Sequence, residues 1–215
     1  MIKHFREPIN TLTHLIGVIA SLIGLIFMIT KVYTGENFFT PKMAGAIIFG
    51  LSLIFLYAAS SLYHLVKVSD KALTIFRKVD HSMIFILIAG TYTPICLMIL
   101  SNPIKTIVLS IVWSLTILGI LLKVFWFNCP RALYTSFYII MGWMALFLII
   151  PIYKTLLLKG LLWLIAGGVL YTIGGIIYAK KSPNICSKFG FHELFHVFVL
   201  LGSCAHFYLI YNFVL

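Results

Sequence analysis

The chain has 215 residues, of which 62% are hydrophobic and only 10% charged, and its mean hydropathy is +1.09. A soluble domain carries about 25% charged residues, so this chain cannot cover a water-facing surface with polar groups, and lipid must be its main solvent. The formal charge of +11 does not mark a nucleic-acid binder, because the Lys and Arg residues fall between apolar runs, where they suit span ends facing anionic lipid.

Seven apolar runs reach the roughly 20 helical residues that cross a hydrocarbon core. They lie near 12–32, 43–66, 79–100, 104–125, 132–152, 159–179 and 190–213. The expected fold is all-α, a single seven-transmembrane helix bundle over 1–215 with short polar or basic connections. The first run follows a polar stretch and no small-x-small site closes it, so it reads as a retained helix and not as a signal peptide. Pro94 inside the third run predicts a kink. In the sixth run Gly167, Gly168, Gly174 and Gly175 recur at a spacing of seven, which predicts one face that a neighbouring helix approaches closely. Cys96, Cys129, Cys186 and Cys204 form no Cys-x-x-Cys pair and no disulfide framework.

Orientation follows from the basic residues. The N-terminus and the loops after the second, fourth and sixth runs hold eleven: Lys3, Arg6, Lys67, Lys71, Arg77, Lys78, Lys123, Arg131, Lys180, Lys181 and Lys188. The other side holds five: Lys31, Lys42, Lys105, Lys154 and Lys159. The positive-inside rule then puts the N-terminus in the cytoplasm, and an odd number of spans puts the C-terminus outside.

The chain has only five acids, Glu7, Glu36, Asp70, Asp80 and Glu193. Asp80 opens the third run at its cytoplasmic end. His64 closes the second run on the same side, with Ser60 one turn earlier on its face. The seventh run opens with His192 and His196, four residues apart and so on one helix face. Three histidines and an aspartate thus arrive at one membrane depth from three helices. Histidine is the usual zinc ligand, and three protein ligands leave a fourth position for water. Plainer roles exist for each residue. An interfacial histidine can bond a carbonyl or a headgroup, Asp80 can pair with Arg77 or Lys78, and Ser60 can bond back to its own helix.

His192-Glu193-Leu194-Phe195-His196 also matches the His-Glu-x-x-His pattern of zinc proteases, in which the glutamate is the base. No acid follows Glu193, and Val199 and Gly202 stand where the extended pattern needs Gly and His. A membrane protease is therefore a minor alternative, with Asp80 as its third ligand. At the start of the first run, Glu7, Asn10 and His14 can orient a zinc histidine, or Asn10 can cap the helix while Glu7 pairs with Arg6. His206 lies ten residues past His196, roughly 15 Å along the helix, too deep to share a metal, and reads as a buried polar contact. His81, about 100° around the helix from Asp80, reads as interfacial.

These pieces together resemble the hemolysin III branch of the progesterone and adipoQ receptor family. The matching residues are Glu7-Pro8-Ile9-Asn10 with Thr13-His14, Ser60 with His64, and Asp80-His81 with Ala89-Gly90-Thr91-Tyr92-Thr93-Pro94. His192 and His196 with the later His206-Phe207-Tyr208 complete the set, which spans nearly the whole chain in order. The resemblance implies a multi-pass protein of a bacterial cell membrane, with zinc held by His64, His192 and His196. Asp80 and Ser60 would position or deprotonate a zinc-bound water, and a membrane lipid amide or ester would be the substrate or ligand. The family does not require Glu at 193. Two rival expectations are a pore-forming, cytolytic protein with a structural zinc and a sensor of membrane lipid state. A pore calls for a polar stripe along whole helices, whereas the polar residues here gather at the cytoplasmic ends.

Overall fold

The computed structural model describes residues 5–35, 38–186 and 189–215. Lys3 and Lys188 of the charge tally, and Glu36, lie outside them. Among the described residues the chain is helical, with a lone bridge between Cys186 and Phe189 and no strand. Helix α1 spans Pro8–Val32 and α2 spans Pro41–Leu65. Each starts on a proline, whose missing N–H is no loss in a first turn. The Thr40 hydroxyl caps α2 by accepting from the Met43 amide at 3.1 Å. Helix α3, Asp70–Ile99, starts at the Ser69 cap, more than two turns before its apolar run, and passes through Pro94 without ending. Gly45 on α2 lies against Pro94, where a β-carbon would sit 3.0 Å away.

Helix α4 spans Ile104–Phe125, α5 Arg131–Trp143, α6 Ile149–Lys180 and α7 Phe191–Leu209, which ends in a π-helical turn over Ile210–Val214. A 3-10 turn over Met144–Leu148 joins α5 to α6. By length and composition, six segments among the described residues can cross a membrane, the fifth being the 50-residue stretch Arg131–Lys180. As a straight helix that stretch would reach about 75 Å, more than twice the hydrocarbon thickness of about 30 Å. It doubles back instead. Leu157 has φ 56° and ψ −173°, and the two arms run antiparallel. Arg131 Nη1 donates to the Tyr178 carbonyl at 3.0 Å and Trp143 Nε1 donates to Thr172 Oγ1 at 2.8 Å.

The glycines of α6 correct one expectation. They do not share a face. Gly167 and Gly174 lie against His206 and Phe198 of α7, while Gly168 and Gly175 lie against Trp143 and Ile139 of α5. Consecutive positions on a helix are about 100° apart, so the paired glycines make two stripes and admit two neighbours. Outward, large side chains such as Ile16, Phe125 and Phe147 are 63%, 82% and 88% exposed, a surface suited to acyl chains and not to water.

The ends of the bundle differ. At one end the backbone before α1 docks on the end of α2, with the Glu7 amide bonded to the His64 carbonyl at 3.0 Å and the Arg6 amide to the Leu65 carbonyl at 3.3 Å. At the other end Lys31 donates to the Tyr211 carbonyl, and Lys42 to the Leu215 carbonyl at 2.9 Å. The start of α1 and the last residues of the chain therefore sit at opposite ends.

The glycine stripes are testable. A β-carbon at Gly167 would collide with the His206 ring, whereas one at Gly168 would be 3.7 Å from Trp143. Gly167→Ala is expected to destabilise the purified protein by about 1–3 kcal/mol through overpacking. Gly168→Ala is expected to be neutral or stabilising by up to about 1 kcal/mol, because alanine is the better helix former. Thermal melts of the two variants in one detergent check the difference.

Candidate metal centre

Two helices bring the histidines together. His64 comes from the last turn of α2, and His192 and His196 from the first turns of α7. One nitrogen from each lies within 4.8 Å of the others. His64 and His196 are almost wholly buried, each 1% exposed. His64 Nε2 and His192 Nε2 are 3.2 Å apart.

The outer nitrogens decide which lone pairs face inward. Burial alone favours the neutral form of the Glu7 carboxyl. The His64 hydrogen bond, the charge of Arg6 and the Asn10 amide oppose it, and the carboxyl is held below the usual carboxylate range. An ionised carboxylate can only accept, so the 2.6 Å contact from His64 Nδ1 to Glu7 Oε2 puts the proton on Nδ1 and leaves Nε2 a bare lone pair. A second argument fixes His196. The single Thr13 hydroxyl proton goes to the Asn10 carbonyl at 3.0 Å. Thr13 Oγ1 must therefore accept from His196 Nδ1, at 3.2 Å, and Nε2 of His196 is bare as well.

This donor set fits a metal. Tetrahedral zinc with Zn–N bonds of about 2.0–2.1 Å separates two ligand nitrogens by roughly 3.3 Å, close to the observed 3.2 Å between His64 and His192. Buried imidazoles held at their outer nitrogens by a carboxylate and a hydroxyl are the arrangement that orients metal-binding histidines.

The other expected residues divide by role. Asn10 Nδ2 bridges Glu7 Oε2 at 3.1 Å and Glu193 Oε1 at 2.9 Å, so it joins α1 to α7 near the cluster. His14 does not bond a histidine. Its ring stacks on His196 at 3.6 Å between centroids, and both of its nitrogens lack a hydrogen-bond partner. Glu193 Oε2 accepts from the Gly190 amide at 2.8 Å and closes a capping box on α7. Its carboxylate is thus occupied by the backbone and by Asn10. His206 faces the Leu164 carbonyl at 3.3 Å, far along α7.

Asp80 and Ser60 line a cavity of about 160 Å³ together with His14, His192 and His196. The buried Ser60 hydroxyl faces the Asp80 carboxylate, and the charge of Arg77 reaches it. Lys78, one expected partner of Asp80, instead donates to the Val124 carbonyl at 2.8 Å. The rest of the cavity wall is mostly apolar, with Leu87, Ile88, Leu146, Leu161 and Leu164 among its residues. His81 corrects the sequence reading. It is 6% exposed and packs among aromatic rings, with Tyr178 Oη 3.3 Å from its Nε2, because α5 and α6 cover a face of α3 that the helix angle alone left at the interface. Thr13 had no role assigned from the sequence. Its place three residues after Asn10, on the same face, is the signal that could have found it.

A family model described as Haemolysin-III related matches residues 2–207. The chain is 36% identical over 217 residues to Hemolysin-3 of Bacillus cereus, covering 100% of this chain and 95% of that protein. It is 37% identical over 204 residues to a Hemolysin-3 homolog of Bacillus subtilis (strain 168), with coverages of 94% and 92%. Similarity extends to an adiponectin receptor protein of Drosophila melanogaster, at 29% identity over 94% of this chain and 49% of that protein.

The supporting contacts predict unequal effects on metal affinity. Glu7→Gln removes the anion that holds His64 and is expected to weaken retention of a divalent metal by roughly tenfold to a hundredfold. Glu193→Gln keeps an acceptor for one of Asn10 and Gly190, leaves the Glu7–His64 contact in place, and is expected to leave affinity within about threefold. Competition with a chromogenic chelator reads both, and equal losses would contradict the division of roles.

Proposed function

The chain belongs to the haemolysin-III-related family, and from that premise we propose that it is a zinc-dependent membrane hydrolase of a lipid amide or ester. The observation that carries the reading is the convergence of His64, His192 and His196 beside a largely apolar cavity whose polar wall includes Asp80 and Ser60. The reading includes seven crossings, with Arg131–Lys180 supplying two by turning at Leu157. It also includes a cytoplasmic N-terminus and an external C-terminus in a bacterial cell membrane. The antiparallel arms of that stretch and the opposite placement of the chain ends support this, and the basic residues at the histidine end support its orientation.

His64, His192 and His196 would hold the zinc. When bound, zinc supplies Lewis-acid polarisation of the scissile carbonyl and an acidified water. The chain's own residues do the rest. Glu7 and Thr13 keep protons on the outer nitrogens of His64 and His196, so the inner lone pairs stay available. Asp80 accepts the proton of the attacking water and returns it to the leaving amine or alkoxide. Ser60, beside Asp80, positions that carboxylate. The apolar wall takes the acyl chain and keeps bulk water from it. The cavity lining stays mostly apolar from the histidines to Leu146, Ile149 and Leu161, which suits an acyl chain and favours hydrolysis over the lytic pore that the relatives' printed name suggests.

Two measurements test the reading. In nanodiscs of bacterial lipid, the zinc-loaded protein is expected to release fatty acid from an N-acyl or O-acyl lipid. Asp80→Asn should lower the rate by about a hundredfold or more while zinc content stays unchanged. Turnover by Asp80→Asn at the wild-type rate would remove Asp80 from the chemistry, and no turnover by the zinc-loaded wild type would overturn the hydrolase. For topology, a reporter fused after Leu215 should behave as external and one inserted in 180–189 as cytoplasmic. The reverse pattern would overturn the orientation.

A further inference from the structure

His81 and Tyr134 form a wall shared by two cavities. The second has a volume of about 150 Å³ and is lined by Arg77, Lys123, Arg131 and Cys129 among others, with no carboxylate in its lining. The sequence had set Lys123 among the loop lysines that face the cytoplasm, but it is 0% exposed. Its Nζ has no hydrogen-bond partner and lies 2.9 Å from the centroid of the Tyr134 ring. A ring face offsets only part of the cost of burying an ammonium, and lysine is almost never fully buried unless it is paired.

The other cations have capacity to spare. Arg131 gives Nη1 to the Tyr178 carbonyl and stacks over the Tyr178 ring at 4.4 Å, which leaves most of its five donors. Arg77 lies over the Phe127 ring at 5.3 Å. Its charge is felt by Asp80, but that carboxylate lines the first cavity and not this one. Helix α5 also begins here, at Arg131, with no side-chain cap on its first turn, and although the Leu133 amide bonds the Pro130 carbonyl, the positive end of its dipole adds to the same field.

We propose that this second cavity binds a phosphate group, as the headgroup of an anionic membrane lipid or as a free phosphate anion. Two guanidinium forks, an ammonium point charge and a helix N-terminus are complementary to tetrahedral phosphate oxygens. The bound anion neutralises Lys123 and draws the ends of α3, α4 and α5 together. The site is independent of the proposed hydrolase, since none of its residues belongs to the histidine cluster.

The test is thermal stability of the purified full chain in a neutral detergent. Inorganic phosphate is titrated against chloride at matched ionic strength, and phosphatidylglycerol against phosphatidylcholine in mixed micelles. Phosphate, phosphatidylglycerol or both should raise Tm, and phosphatidylcholine should not. A response to phosphatidylglycerol alone identifies a lipid headgroup, and a response to both identifies a site that free phosphate also enters. Lys123→Met, which removes a buried charge without leaving a void, and Arg77→Gln should each weaken the apparent affinity by roughly tenfold or more. His64→Ala should leave the response intact, which separates this site from the metal centre. No shift with either probe, or a shift unchanged in both Lys123→Met and Arg77→Gln, overturns the proposal.

Discussion

Glu7 meets His64 at 2.6 Å, and the ends of three helices are arranged around that contact. Glu7 precedes α1, His64 ends α2, and Asn10 carries the link from Glu7 to Glu193 on α7. A half-buried carboxylate beside hydrocarbon gains from donors inside the chain. Here it finds an imidazole, an amide and the Arg6 guanidinium, 3.3 Å away. The pairing also holds the His64 proton on the outward nitrogen, so one interaction closes the bundle end and exposes a lone pair in its interior. Without Glu7 the imidazole could choose its tautomer freely, and Asn10 would lose one of its two acceptors.

From this end the rest of the architecture follows. The polar residues of α1, α2, α3 and α7 meet near the histidines, and the wall of the adjoining cavity turns apolar away from them. Hydrocarbon outside and hydrocarbon-like lining inside make this a setting for a lipid with its polar group at the histidines. The same bundle end concentrates Arg77, Lys123 and Arg131, and His81 with Tyr134 stands between the basic cavity and the apolar one. A phosphate held on one side of that wall would brace the helices that form the other. The two sites are then neighbours with separate chemistry, one built from neutral imidazoles and one from cations.

Much of this was legible in the sequence, because hydrocarbon imposes a length on every helix and histidines four apart must share a face. The apolar runs overlie the helices, and topology alone gathered His64, His192 and His196. Glu193, the acid of the protease pattern, sits in the α7 cap. What escaped was set by neighbours along no periodic pattern. Asp70–Ile99 begins early because the Ser69 cap, and not hydropathy, starts the helix. His81 is buried because α5 and α6 cover it. Lys123 lies in the last turn of an apolar run and looks like a flanking lysine, yet Tyr134 from the next helix covers it. The glycines of α6 show one period in the sequence but serve two partners, since which helix lies on which side is a tertiary fact. The chain turns on Leu157, a residue type that carries no turn signal.

The most direct measurement is the metal content of the purified chain by mass spectrometry, with variants of each histidine. Wild type should hold about one zinc per chain. His64→Ala, His192→Ala and His196→Ala should each lose most of it, since three ligands leave little redundancy, while His206→Ala should retain it. Full zinc in all three single variants, or none in a wild type purified with zinc present, would contradict a metal centre built on these histidines.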